Sequence, residues 1–306
     1  MSKCAFIFPG QGSQYPGMGK ELAGNFKIAR DTFAEADDTL GFGLSRLCFE
    51  GPEEDLKLTA NTQPAILTAS VAALRVLRTE TPLSALYLAG HSLGEYSALV
   101  ASGAIGFADA LLTVRARGTY MQEAVPVGVG AMAAILGVES EVLADICREA
   151  AEGEVVAPAN YNSPGQIVIA GHAGAVGRAI EIAKSRGFRK AMLLSVSAPF
   201  HSALMVPAGE RLAETLAGVI ITPLEIPVVT NVEAQPNQDK ERVKELLVRQ
   251  VSAPVFWEAS VLRMAELGVE RFVEIGPGKV LSGLVKRTAK NAELCNVEDT
   301  ATLKAL

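Results

Sequence analysis

The stretch SALYLAGHSLGEYSALV, from Ser84 to Val100, most narrows the folds open to this chain. Ala85 to Ala89 is an apolar run too short for a core helix and suited to a strand buried on both faces. From Leu93 onward, Leu, Tyr, Ala and Val recur at helical spacing. Gly90-His91-Ser92-Leu93-Gly94 therefore sits at a strand-to-helix turn and has the G-x-S-x-G form of a nucleophile elbow. In such a turn the glycines let backbones pass closely, and the serine stands above a helix N-terminus that favours negative charge. The same residues also read as an ordinary glycine-rich turn with Ser92 as a helix cap.

The rest of the chain continues the alternation of strands and helices. Cys4–Phe8 reads as a strand, followed by a glycine-rich loop, GQGSQYPGMG, at Gly10–Gly19. That loop fits neither a dinucleotide fingerprint nor a P-loop. Helical patterns cover Phe26–Leu40, Gln63–Arg78 with Pro64 in its first turn, and Phe107–Ala124. From Val127 to Ser197 the order is β-α-β-β-α-β. Its strands fall at Val129–Leu136, Val155–Tyr161, Gln166–Ala170 and Ala191–Val196, and its helices at Ser140–Ala151 and Gly174–Arg186. A helix from His201, a strand at Val228–Thr230, two more helices, a strand at Arg271–Ile275 and a last helix after Gly278 follow. The expected fold is α/β: a mostly parallel sheet built from residues 1–126 and 198–306, interrupted by a ferredoxin-like subdomain at 127–197.

Composition excludes several function classes. With 306 residues, 49% of them hydrophobic, the chain can bury a large core. A net charge of −6 with no long Lys/Arg cluster argues against nucleic acid as a partner. No apolar stretch has membrane-spanning length, and the N-terminus reads as a strand instead of a signal peptide, so a cytoplasmic protein with no membrane partner is expected. The four cysteines are scattered without a C-x-x-C pair, as reduced thiols would be, and neither a disulfide framework nor a metal site is expected.

If Ser92 is a nucleophile it needs a base, and the chain has three histidines. His91 adjoins Ser92, and neighbours at such a turn point apart, which favours a structural role. His172 lies at a strand-to-helix junction inside the insert, a place for a capping or surface residue. His201, in SAPFHS, lies where the chain leaves the insert and re-enters the larger unit, beside a cleft between them. A histidine at a helix start is the plainer alternative there. No histidine follows His201, and no HGGG-type oxyanion motif occurs, so an ordinary lipase or esterase is a poor fit.

Seven segments, in order along nearly the whole chain, resemble the malonyl-CoA:acyl carrier protein transacylase family. They are FIFPGQGSQYPGMG, NTQPAI, GHSLGEYSAL, RARG, NYNSPGQIVIAG, SAPFHS and EIGPGKVLSGL. The resemblance implies an α/β-hydrolase-like core with a ferredoxin-like insert, and transfer of a malonyl group from malonyl-CoA to holo acyl carrier protein through a serine ester. A thioesterase-like hydrolase using the same serine is the alternative. No cofactor is implied beyond the carriers of the two substrates. The resemblance implies that Ser92 and His201 are catalytic, with the backbone carbonyl of Gln250 orienting His201. The N–H of Gln11 would join that of Leu93, which follows the nucleophile, as oxyanion donors. Helical periodicity separates Arg115 from Arg117 only weakly as a carboxylate clamp; the resemblance selects Arg117 and leaves Arg115 to pair with a nearby acid. Gln63, Met121, Asn162 and Phe200 complete the expected acyl pocket, with Phe200 restricting the acyl α-carbon. Arg189, Lys190, Lys286 and Arg287 are expected to meet an acidic carrier protein, whereas Lys184 and Arg186 are equally well explained as a solvated face. The enzyme is expected to be a monomer.

Overall fold

The computed structural model describes residues 3–194, 196 and 198–306, so the expected boundary residue Ser197 lies outside the described residues. Ten strands among them form two sheets. The six-stranded sheet contains β1 (Cys4–Phe8), β2 (Tyr87–Gly90), β7 (Val228–Val229), β8 (Pro236–Asn237), β9 (Arg271–Ile275) and β10 (Glu293–Val297), in the order β10-β9-β1-β2-β7-β8. All its neighbours are parallel except β7 and β8. The second sheet, β3 (Gly130–Leu136), β4 (Val156–Ser163), β5 (Gln166–His172) and β6 (Ala191–Leu193), is antiparallel in the order β4-β5-β3-β6.

Burial follows the residue patterns. Every residue of β1 is buried, as its unbroken apolar run requires of a central parallel strand. In the second sheet a period of two divides the residues between two cores. Met132, Val168 and Ala170 pack into the main core, while Ala133, Ile135, Ile167 and Ile169 pack with the helices Ser140–Ala151 and Ala173–Ser185. One face of the small sheet therefore closes over the large unit. A strap reinforces the contact: Tyr161 N–H donates to Val255 O at 2.9 Å, and Val255 N–H to Ala159 O at 2.8 Å.

Some elements differ from the sequence expectation. The helix expected to open near Gln63 starts at Thr59, which puts Pro64 at its sixth residue instead of its first turn. Pro64 has no N–H for the carbonyl of Ala60 four residues back. That carbonyl instead accepts from Arg115 Nη1 at 2.7 Å. The helix expected from His201 is a 3-10 turn, Ala203–Met205, leading into Val206–Ala217. Short elements carried no clear periodic signal and went unread, among them β8, β10 and the helices Lys20–Asn25 and Thr300–Lys304.

Candidate active site

Parallel pairing of β1 with β2 sets Phe8 beside Gly90, so the loops that follow run side by side. His91 N–H donates to Phe8 O at 3.1 Å. The closeness explains the glycines. A Cβ on Gly90 would lie 2.0 Å from Gly94 backbone, one on Gly94 2.1 Å from Phe8 O, and one on Gly10 2.4 Å from His91 O. Between them Ser92 takes a left-handed backbone, φ 50°. That conformation costs a non-glycine residue about 1–3 kcal/mol and must be held by its surroundings. Ser92 does not cap the following helix, Gly94–Ala101, whose N-cap is Leu93 with no side-chain cap bond.

Of the three histidines, His201 reaches the serine. Its Nε2 lies 2.8 Å from Ser92 Oγ, and its Nδ1 lies 2.8 Å from Gln250 O. A carbonyl only accepts, so Nδ1 carries the proton and Nε2 offers a lone pair to the Ser92 hydroxyl. His201 also has a left-handed backbone, φ 58°. Burial, and next the Arg117 charge, lower its pKa from 6.5 to about 3, against the pull of the Gln250 carbonyl. The ring is therefore uncharged at neutral pH and able to accept a proton. His91 instead bonds Asn162 Oδ1 at 2.8 Å, and His172 Nδ1 accepts Val155 N–H at 2.9 Å, in line with structural roles.

Arg117 lies buried beside this pair. Nη2 donates to Ser92 Oγ at 3.1 Å and to Gln250 Oε1 at 3.0 Å, and Nη1 donates to Gln63 Oε1 at 2.9 Å. Its Nε is buried with no acceptor among the described residues. Two residues earlier, Arg115 bonds the Ala60 carbonyl and Asn61 Oδ1 and lies over the Phe42 ring, so the expectation that it pairs with an acid is corrected. Its carbonyl partner is the one Pro64 leaves without a helical donor, so the guanidinium satisfies a half-buried backbone group. Gly118 makes this possible: a Cβ there would stand 2.7 Å from Thr59 O, so the two helices meet closely. The RARG and NTQPAI segments are two halves of one contact.

A cavity of about 200 Å³ opens over Ser92 between the two sheets. Gln11, Leu93, Gln63, Met121, Asn162 and Phe200 all line it, together with Ser92, Arg117 and His201. Gln63 and Asn162 have their side-chain oxygens engaged by Arg117 and His91, so both hold protein groups in place. Gln250 does more than offer its carbonyl. Its side-chain Nε2 donates to Ser92 O at 3.0 Å and to Glu95 Oε2 at 2.8 Å. Sequence reasoning missed the cavity walls Met132 and Val168, whose alternation toward the main core could have found them, and gave no role to Glu95 or Asn231. Among the described residues no three His, Cys, Asp or Glu side chains group so as to hold a metal ion.

The four expected surface cations, Arg189, Lys190, Lys286 and Arg287, are all exposed. Arg287 Nη1 donates to Gln166 Oε1, itself a cavity residue. Lys184 and Arg186 pair with Glu181 and Glu149, as a solvated face would. Cys4, Cys48 and Cys147 are buried free thiols, and Cys295 is half-buried. Among the described residues no helix is long and apolar enough to cross a membrane.

Acyl transfer is the chemistry that suits an uncharged imidazole on a strained serine with a cation at its hydroxyl. Known proteins place the chain in that class. Residues 5–304 match the acyl transferase domain family. The malonyl CoA-acyl carrier protein transacylase of Escherichia coli K12 is 50% identical over 306 residues, covering 100% of this chain and 96% of the relative. The crystal structure of an acyl carrier protein S-malonyltransferase from Vibrio cholerae superposes with a TM-score of 0.97 at 50% identity, covering 99% of each chain. A malonyl-transacylase solved in complex with its holo type II polyketide acyl-carrier protein has a TM-score of 0.97 at 47% identity, over 99% of this chain and 98% of that one. The chain belongs to the acyl transferase family, within its malonyl-CoA:acyl carrier protein branch.

Proposed function

We propose that this acyltransferase moves malonyl groups from malonyl-CoA to the phosphopantetheine thiol of holo acyl carrier protein through a malonyl ester on Ser92. The observation that carries the reading is the buried Arg117 guanidinium 3.1 Å from Ser92 Oγ, a cation placed to receive an acyl group that ends in a carboxylate. Ser92 Oγ attacks the thioester carbonyl while its proton passes to His201 Nε2. The oxyanion is met by the N–H groups of Gln11 and Leu93, which both line the cavity. Collapse expels the CoA thiolate, which takes the proton back from His201. The carrier thiol then enters by the same path in reverse. Gln250 O holds the imidazole in the required tautomer without adding a formal charge. The relay needs only these side-chain and main-chain groups and the two substrates, with no further cofactor.

The finer readings rest on the same site. The catalytic core is assigned as α/β-hydrolase-like, residues 1–126 and 198–306, on its parallel sheet and elbow. Residues 127–197 are assigned as a ferredoxin-like subdomain, on the strand order β4-β5-β3-β6. Phe200, at the cavity wall, is assigned to favour malonyl over branched acyl groups. Arg189, Lys190, Lys286 and Arg287 are assigned to the carrier-protein surface, supported by the Arg287 contact at the cavity rim. We place the enzyme in the cytoplasm as a monomer.

Intact-mass analysis tests the reaction. Wild type mixed with malonyl-CoA should gain one malonyl group and lose it on addition of holo acyl carrier protein, while Ser92→Ala should gain none. Labelling of Ser92→Ala at wild-type stoichiometry would end the proposal. A label that decays to free malonate without reaching the carrier would indicate a thioesterase-like hydrolase.

A further inference from the structure

Asn231 lies in the loop after β7, the strand next to β2, and its side chain spans the elbow. Its Oδ1 accepts Ser92 N–H at 2.7 Å, and its Nδ2 donates to Gly90 O at 2.7 Å. The residue is itself fixed: its backbone N–H donates to Glu95 Oε2 at 3.0 Å. Glu95 is buried, and the same oxygen accepts from Gln250 Nε2, which also bonds Ser92 O. Both main-chain polar groups of Ser92 are thus held by side chains, and one buried carboxyl group holds both residues, Asn231 through its main-chain N–H and Gln250 through its side chain. Gln250 joins this frame to Arg117 through its Oε1 and to His201 through its carbonyl. Nothing in the acyl relay described above uses Asn231 or Glu95.

We infer that Asn231, anchored by Glu95, is a positioning residue that keeps the elbow in its left-handed conformation and so sets where Ser92 Oγ stands relative to His201 Nε2. The pattern of bonds supports this over simple core filling. Asn231 clasps the residues on both sides of His91, the two points that must stay fixed if the turn is not to relax. By engaging Ser92 N–H it also leaves the next amide, that of Leu93, as the elbow's donor to the oxyanion. A relaxed Ser92 would move its hydroxyl away from the imidazole, and small misplacements of a reacting atom cost large factors in rate. The inference rests on Ser92 being the nucleophile, and the test separates the two.

Burst acylation by malonyl-CoA and by acetyl-CoA is measured for wild type, Ser92→Ala, Asn231→Ala and Asn231→Asp, with folding checked by circular dichroism. Asn231→Ala should lose roughly 10- to 100-fold in acylation rate with both substrates. KM should change little, because Asn231 is not among the residues that line the cavity. Asn231→Asp keeps the acceptor for Ser92 N–H but replaces the donor to Gly90 O by an oxygen. Its rate should be low at neutral pH and rise as acid protonates the new carboxyl and restores a donor, relative to wild type at the same pH. Glu95, Arg117 and His201 face this frame in every variant, so the wild-type profile is the reference. Folded Asn231→Ala within twofold of wild type, or a loss carried wholly by KM, would overturn the inference. If Asn231→Ala does not fold, Asn231→Asp decides: a wild-type rate and pH profile would overturn the inference, and the acid recovery would support it. Acylation of Ser92→Ala would instead overturn the nucleophile assignment.

Discussion

Arg115 and Arg117 stand two residues apart on one helix and anchor two neighbouring regions with opposite properties. Arg115, half-buried, bonds a main-chain carbonyl that Pro64 leaves without its helical donor, bonds Asn61 Oδ1 beside it, and lies over Phe42. Arg117, buried, bonds Gln63, Gln250 and Ser92 through side chains only, and keeps Nε without an acceptor among the described residues. The first arginine fills the backbone deficit that Pro64 creates in its helix. The second is held by side-chain groups alone, in the cavity over Ser92. The lesson concerns the kind of partner: a guanidinium that fills a main-chain deficit serves the fold, and one held by side chains alone beside the nucleophile is the one proposed to meet the substrate.

The largest expected effect breaks the Arg117 side. Arg117→Ala should lower malonyl transfer by about 3–5 kcal/mol, roughly a hundred- to a few thousandfold in kcat/KM, because the substrate carboxylate is left buried and unpaired. Acetyl transfer, which brings no carboxylate, should hold steady or improve. The measurement is the malonyl-to-acetyl ratio of kcat/KM in both proteins. An unchanged ratio would place Arg117 on the same footing as Arg115.

On the other side the effect should appear in stability. Arg115→Ala removes the donor to Ala60 O and should cost about 1–2 kcal/mol, the scale of a carbonyl left unsatisfied, with the malonyl-to-acetyl ratio unchanged. Pro64→Ala gives that carbonyl back its helical N–H. In a Pro64→Ala background, Arg115→Ala should therefore cost less, and a double-mutant cycle in chemical denaturation measures the difference. Purely additive values would show that Arg115 is not compensating for the proline.

How far these regions were legible in the sequence follows from what each depends on. Ser92 was legible because its strand, two glycines and helix are contiguous, and each glycine answers a backbone approach under 2.5 Å. His201 was found by elimination among three histidines and by its place at the return from the insert. The second sheet was legible through the β-α-β-β-α-β order of short apolar runs and helical patterns, whereas the period of two that divides its residues between two cores was not used. Arg115 was misread because its partner is a missing hydrogen bond on another helix, which leaves no mark in charge or periodicity. The position of Pro64 was misread for the same reason, since a donor supplied from outside lets the proline sit one turn deeper. Asn231 and Glu95 were silent: a polar residue after a short strand and an acid in a helix's first turn are common, and only folding brings them to the elbow. Gln250 came from family resemblance alone, and its side-chain role came from the structure.

The smallest expected effect sharpens the comparison through His201. Its pKa is lowered to about 3, first by burial and second by the charge of Arg117, with His91 a lesser cause; Arg115 is not among them. The imidazole must be uncharged to take the Ser92 proton, so acylation falls as pH drops through the pKa of His201. Arg117→Met removes one of the two main depressing causes and leaves burial. The pKa should then rise while staying below its ordinary value, and the acid limb of acetyl-CoA acylation should move to higher pH. Arg115→Met should leave that limb in place. Stability sets the usable window. A histidine buried uncharged binds its proton more readily when unfolded, so it contributes stability above pH 6.5 that is progressively lost down to about 3. Glu95, raised by burial to about 7, works the other way: its contribution is full below its ordinary value of 4.5 and is lost as pH rises through 7. Rates are therefore read by stopped-flow pH jump from neutral buffer, before either variant can unfold. An acid limb that moves equally in both variants, or in neither, would show that the charge 3.1 Å from Ser92 Oγ does not reach the base, and the two arginines would differ in position alone.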